Sequence, residues 1–283
     1  MADIEAVRAF LKGCAEGDLV AWSYQLEAMR RFGFSCAHAE RAILEAGLLP
    51  KRYARNRRMI SIEQQKRLFD SRVAVIGCGG LGGYVLEELA RMGVGGLVAI
   101  DPDIFEEHNL NRQLLSSPSA LSANKAVAAV RRIADVNPAV EVRPIQAAFA
   151  SDRAEEFIAG AAVVVDALYS VEGRHDLAAG CARLEIPLVS GSIAGWFGYV
   201  MTIFPGEKTL ERLFSRWSGG RGIEADLGNP AFTPAVVASL EVAEAVKILL
   251  GTGAPLRNRV LCVNLLDMEV DSVAMDGPPP TRL

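Results

Sequence analysis

The chain has 283 residues and is 51% apolar, enough for one substantial core with a small appendage. Its 30 basic and 34 acidic residues leave a net charge of -4, which excludes a global attraction to nucleic acid or to an anionic membrane surface. No run reaches transmembrane length and the opening MADIEAVRAF lacks the basic-then-apolar order of a secretion signal, so the cytoplasm is the expected compartment.

Residues 3–48 read as helices, with apolar residues such as Leu19, Trp22 and Leu26 recurring at helical spacing. They define a helical extension over residues 1–50, expected to pack on the main domain or a partner. Pro50 ends it. The basic cluster KRYARNRR follows at residues 51–58, carrying Lys51, Arg52, Arg55, Arg57 and Arg58 with no acid among them. Such a cluster is either a solvated face or an arm that delivers a guanidinium to a phosphate.

From Ser71 onward, apolar strands alternate with helical patterns. The runs VAVIG, GLVAIDPD, VEVRPI, AVVVDAL and IPLVSG are too apolar for a sheet with one wet face, so helices should cover both sides. The expected fold class is α/β, a doubly wound, mostly parallel Rossmann-like sheet with its ligand crevice at the strands' carboxyl ends. Beyond Gly191 the pattern changes, and WFGYVMTIFPG reads as a strand beside the crevice or an interface that can run antiparallel. Residues 206–229 read as a surface crossover, FTPAVVASLEVAEAVKILLG as a long helix and RVLCVNLLDMEV as the final strand. Residues 271–283 are expected to form a flexible tail.

The five cysteines form no CxxC and the three histidines show no metal-binding spacing, so no structural zinc is expected. Cys78, Cys181 and Cys262 read as small buried thiols, with Cys181 a weak candidate nucleophile.

The chemistry begins at GCGGLG, residues 77–82, between a strand and a helix. Side-chain-free backbone there can crowd a phosphate while unpaired N–H groups point at it. Asp101 arrives 19 residues after Gly82 at the end of the next strand, where a carboxylate can accept ribose hydroxyl protons. Adenosine followed by phosphate satisfies both features, which leaves NAD and ATP open. The polar segment DPDIFEEHNLNRQ, with Asn124 and Lys125 beyond it, favours the second. Adenylation must neutralise a triphosphate and the charge that grows at the α-phosphorus, and Arg112 and Lys125 are placed for that. Asp166 closes VVVD at the crevice edge, as a Mg²⁺ holder beside a triphosphate or as a cap for the next turn.

These motifs together, over about residues 52–267, resemble the ThiF/MoeB/HesA family, relatives of ubiquitin-activating enzymes. RYARN, GCGGLG, the DxD of Asp101 and Asp103, NLNRQ, Lys125, the VNP after its helix and VVVDAL occur in order with family-like spacing. The resemblance implies an adenylation domain over residues 51–270. It would use ATP and Mg²⁺ to adenylate the C-terminal glycine carboxylate of a small ubiquitin-like sulfur-carrier protein ending in Gly-Gly, in a molybdopterin, thiamine or related pathway. It assigns nucleotide binding to Gly77, Gly79, Gly80, Gly82, Asp101, Asp103, Asn109, Arg112, Gln113, Lys125, Asp166 and Ala167, and the metal to Asp166. Catalysis would fall to Arg55, Arg112, Lys125 and Asp166, with Arg55 reaching into the neighbouring subunit's site and so implying a homodimer.

Three departures mark this chain. Asn56 replaces the usual glutamine of RYxRQ, and DALYS replaces the frequent D-x-x-D/N, putting Tyr169 and Ser170 at its end. The zinc-binding CxxC pairs and the crossover thiol are missing, since residues 208–229 contain no cysteine. Chemistry that stops at the mixed anhydride is therefore expected. The alternatives are adenylation of another carboxylate, such as a peptide terminus or a tRNA-linked substrate, a nucleotide-binding assembly protein, and an NAD-dependent oxidoreductase.

Overall fold

The computed structural model describes residues 4–214 and 227–275. The first unit comprises α1 (Ile4–Cys14), β1 (Leu19–Val20), α2 (Trp22–Phe32), α3 (Cys36–Glu45) and β2 (Leu49–Pro50). Val7 and Leu11, one turn apart on α1, meet Ala28 and Ile43 in a small core of their own. The unit is not wholly helical, because β1 and β2 pair in parallel, Leu19 opposite Leu49. A two-residue ladder offers no periodicity to read, which is why the sequence pattern suggested helix throughout.

A further helix, α4 (Ile62–Phe69), leads into the main domain. Its start carries a capping box: Gln64 N donates to Ser61 Oγ at 3.2 Å and Ser61 N donates to Gln64 Oε1 at 2.9 Å. The sequence reading passed over this element, although the Ser-x-x-Gln spacing of residues 61–64 announces it.

The main sheet is built from β3 (Arg72–Ile76), β4 (Gly96–Ile100), β5 (Glu141–Ile145), β6 (Val163–Asp166), β7 (Leu188–Ala194), β8 (Phe197–Ile203), β9 (Arg259–Asn264) and β10 (Glu269–Ala274). Their spatial order is β10-β9-β8-β7-β6-β3-β4-β5. Pairing is parallel from β5 through β7 and antiparallel from β7 through β10. The helices are α5 (Gly80–Met92), α6 (Lys125–Val136), α7 (Ala154–Ile158), α8 (Val171–Arg183), α9 (Thr209–Phe214) and α10 (Phe232–Leu250). They divide between two apolar layers. Val73, Val75 and Val163 face one with α5, α6 and α10, and Ala74, Ile76 and Val164 face the other with α7 and α8. This is the doubly wound sheet that the apolar strand runs implied.

The last strand differs from expectation. RVLCVNLLDMEV is two antiparallel strands, because Asn264 Oδ1 accepts from Leu266 N at 3.1 Å and Asp267 N at 3.3 Å and so turns the chain. As β10 reaches Ala274, the first residues assigned to the tail lie in the sheet. The rest of that tail, from residue 276, lies outside the described residues, as do residues 215–226 of the crossover.

A buried polar junction joins the first unit to the main domain. Tyr53 OH donates to Glu40 Oε1 at 2.6 Å and accepts from Asn137 Nδ2 at 2.8 Å. Arg52 donates to Gln25 Oε1 at 2.7 Å, pairs with Glu40 and lies over the Trp22 ring. Arg52 therefore leaves the basic arm and turns inward, where burial is offset by these partners.

Candidate nucleotide site

The turn after β3 needs its glycines for two different reasons. Gly77 has φ +95°, and a Cβ there would lie 2.6 Å from the Ala167 carbonyl oxygen, while a Cβ on Gly82 would lie 1.8 Å from the Gly77 carbonyl oxygen. Those two make the turn possible. Gly79 and Gly80 instead face the crevice, with Gln113 near one and Pro234 and Arg112 near the other. Gly79 caps α5 without any side chain, leaving the first helical N–H groups free to meet an anion.

Asp101 follows β4 directly and is 5% exposed. Its Oδ2 accepts from Cys78 N at 2.7 Å and its Oδ1 from Asp103 N at 2.8 Å, so the glycine turn and the carboxylate hold each other. Burial raises the Asp101 pKa, and these two N–H groups together with Lys125 oppose the rise. Each oxygen keeps capacity for a second donor, such as a ribose hydroxyl.

Lys125 opens α6 and is buried, its Nζ 3.1 Å from Asp103 Oδ2. The preceding Asn124 caps α6 through Val127 N and ties both Asp101 and Asp103 carbonyls with its Nδ2. Arg112 donates to His108 O at 3.1 Å and Asn111 Oδ1 at 2.9 Å, and partial burial lowers its pKa without discharging it. Gln113 is buried beside Gly79 with its Oε1 unpartnered among the described residues, the kind of orphan that a bound ligand would satisfy. Asn109 is turned away. Its Oδ1 accepts from Glu106 N at 2.9 Å, so its side chain shapes the loop that carries Arg112 and Gln113.

Asp166 departs from the sequence expectation. Its side chain is fully buried, with Oδ1 accepting from Leu168 N at 2.9 Å and Oδ2 from Ser190 Oγ at 2.6 Å and Arg174 Nη1 at 2.8 Å. Mg²⁺ does not fit there, because the carboxylate is out of solvent and already neutralised by Arg174. Among the described residues no group of three or more His, Cys, Asp or Glu side chains is placed to hold a metal ion. Arg174 and Ser190 were missed by the motif reading, since both meet Asp166 only through the fold. Ala167 packs its carbonyl against Gly77 and donates its N–H to Ile76 O at 2.9 Å.

Arg55 is exposed in the turn between buried Tyr53 and Ile60 and makes no hydrogen bond or ion pair among the described residues. The next residue, Asn56, is half-buried with its Nδ2 3.9 Å from Met92 Sδ. Cys181 is 2% exposed and burial pushes its thiol up to about 12, which removes it as a nucleophile.

The ThiF family model matches residues 53–282. The SAMP-activating enzyme E1 of Haloferax volcanii is 34% identical over 226 residues, 78% of this chain and 84% of that protein. The molybdopterin-synthase adenylyltransferase of Salmonella typhimurium is 34% identical over 210 residues, 72% of this chain and 83% of that protein. Among solved structures, E. coli MccB superposes with a TM-score of 0.66 over 98% of this chain and 89% of its own, at 19% identity, a likeness of fold that takes in the first unit.

Proposed function

The chain belongs to the ThiF family and is an ATP-using adenylyltransferase, and from that premise we propose that it activates the C-terminal glycine carboxylate of a small ubiquitin-like sulfur-carrier protein as an acyl adenylate. The observation that carries the reading is the convergence on one crevice of an uncapped helix start at Gly79 and Gly80, the Asp101 carboxylate and the Arg112 guanidinium, which pairs with no carboxylate among the described residues. The identity of the relatives named above supports the reaction class and the kind of substrate.

In this reading the glycine turn receives phosphate oxygens and Asp101 accepts from the ribose. The incoming carboxylate is ionised at neutral pH and needs no general base. It attacks the α-phosphorus, a C–O–P anhydride forms and pyrophosphate leaves. Arg112 and Lys125 stabilise charge on the transferring group, and Arg55 completes the site of a second copy across a homodimer. The reaction ends at the anhydride, because residues 208–229 offer no cysteine and Cys181 is sealed in the core.

ATP–pyrophosphate exchange tests this. Exchange is expected with carriers ending in Gly-Gly and not with the same carriers lacking that pair, and Arg112→Ala is expected to slow it about 10²- to 10³-fold. ATP binding without exchange for any carrier, or exchange driven by unrelated carboxylates, overturns the carrier reading.

A further inference from the structure

Asp166 and Arg174 form the most buried ion pair among the described residues, 0% and 3% exposed. Arg174, in the first turn of α8, spends its donors on four acceptors. Its Nη1 reaches Asp166 Oδ2 and Gly191 O, each at 2.8 Å, and Ser190 Oγ at 3.2 Å, while its Nη2 donates to Leu168 O. Leu168 N closes the ring on Asp166 Oδ1, and Ser170 Oγ accepts from Gly173 N at 3.1 Å to start α8. Residues 166–170 are thus fastened at both ends and in the middle.

This fastened loop bears on the nucleotide site at one point. Ala167 hydrogen-bonds the end of β3 and lays its carbonyl so close over Gly77 that no side chain could stand there. The turn that faces the phosphates therefore takes its position partly from the loop. The same loop offers no second carboxylate to a cation, since Tyr169 and Ser170 follow Ala167 and Leu168.

We infer that Asp166 is a positioning residue that acts through Arg174 to hold residues 167–170 against the glycine turn, and not a ligand for the divalent cation that accompanies ATP. The inference rests on the nucleotide reading of the crevice. It differs from the expectation drawn from motif resemblance and makes Arg174 a functional residue of the site. β6 would then supply no carboxylate to a cation bound with the phosphates, and its Asp166 would serve only to position the loop.

The test is calorimetric titration of the full chain with α,β-methylene-ATP over a series of Mg²⁺ concentrations. The variants are Arg174→Lys and the double change Asp166→Asn with Arg174→Gln, which removes both buried charges together so that neither is left unpaired. Both variants are expected to bind the analogue several-fold more weakly with and without Mg²⁺, while the Mg²⁺ concentration for half-maximal binding stays at the wild-type value. A folded double variant that binds the metal-free analogue normally but loses the gain that Mg²⁺ confers overturns the inference, because that is the behaviour of a lost cation ligand. Unchanged affinity in both variants also overturns it. Wild-type protein that binds no analogue at all sinks the nucleotide reading itself, a distinct outcome.

Discussion

At the scale of single residues, the charges that matter are those the fold leaves uncompensated. Lys125 already has Asp103, whereas Arg112 has only neutral acceptors among the described residues and is the freer cation for an incoming phosphate. Glu241, midway along α10, is the opposite case. It is fully buried, its carboxyl lies where a Cβ on Gly191 would be 2.5 Å away, and neither oxygen has a hydrogen-bond partner of good geometry. Burial raises its pKa well above the usual carboxylate value and nearby Asp166 adds to this, while Arg174 and the Gly191 N–H offset only part. The fold therefore favours the protonated form of Glu241. An acid whose folded pKa is raised binds its proton more tightly in the folded state. Stability then falls as pH climbs above the unfolded value of about 4.3, by up to about 1.4 kcal/mol per pH unit, until the folded pKa is reached. Glu241→Gln mimics the protonated acid without that penalty. Thermal denaturation should show the variant close to wild type at pH 5 and increasingly more stable than wild type toward pH 8. A difference that does not change with pH would mean that Glu241 is ionised in the fold.

At the scale of elements, the junction between the first unit and the main domain depends on Asn137 at the end of α6. Its Nδ2 donates to Tyr53 OH and Ala90 O, and its Oδ1 accepts from Arg52 Nη1 at 3.2 Å. Asn137→Ala strands several buried groups at once. It should lower unfolding stability by about 1–3 kcal/mol in urea denaturation and expose the chain near residue 50 to limited proteolysis. Wild-type protease resistance would show that apolar packing alone seats the unit. This junction also marks where the sequence stopped being readable. VAVI, LVAI and VVVD announce buried parallel strands, because each is an unbroken apolar run ending at glycine or aspartate, and the glycine turn with Asp101 is local enough to name a nucleotide. The inward turn of Arg52 was invisible, since its partners Glu40 and Asn137 lie 12 and 85 residues away. The same holds for Arg174, whose contacts with Ser190 and Gly191 join two elements of different period, and which together with Ser190 Oγ and Leu168 N closes the Asp166 carboxylate. The hairpin between β9 and β10 was hidden because its turn residues, Leu265 and Leu266 among them, are as apolar as the strands.

At the scale of the whole molecule, Arg55 is an exposed cation with no hydrogen-bond or ion-pair partner among the described residues. Tyr53 and Ile60 anchor the two ends of its turn in buried surroundings, while Arg55, Arg58 and the 86% exposed Met59 project from it. An arginine held on a rigid turn is suited to reach a phosphate bound elsewhere, because little side-chain freedom beyond its own remains to be lost. If two copies exchange this arm about a two-fold axis, each active site contains Arg55 from one chain and Lys125 from the other. Arg55→Ala and Lys125→Ala would then each be inactive as pure proteins in pyrophosphate exchange. Unfolded together and refolded as an equal mixture, half of the dimers carry one chain of each kind. In such a dimer one site has lost both groups and the other has kept both, so the mixture should recover about a quarter of wild-type activity by random pairing. The outcome separates the two arrangements cleanly: an arm that served its own chain would place one defect in every site of the mixed dimer, and no recovery would follow.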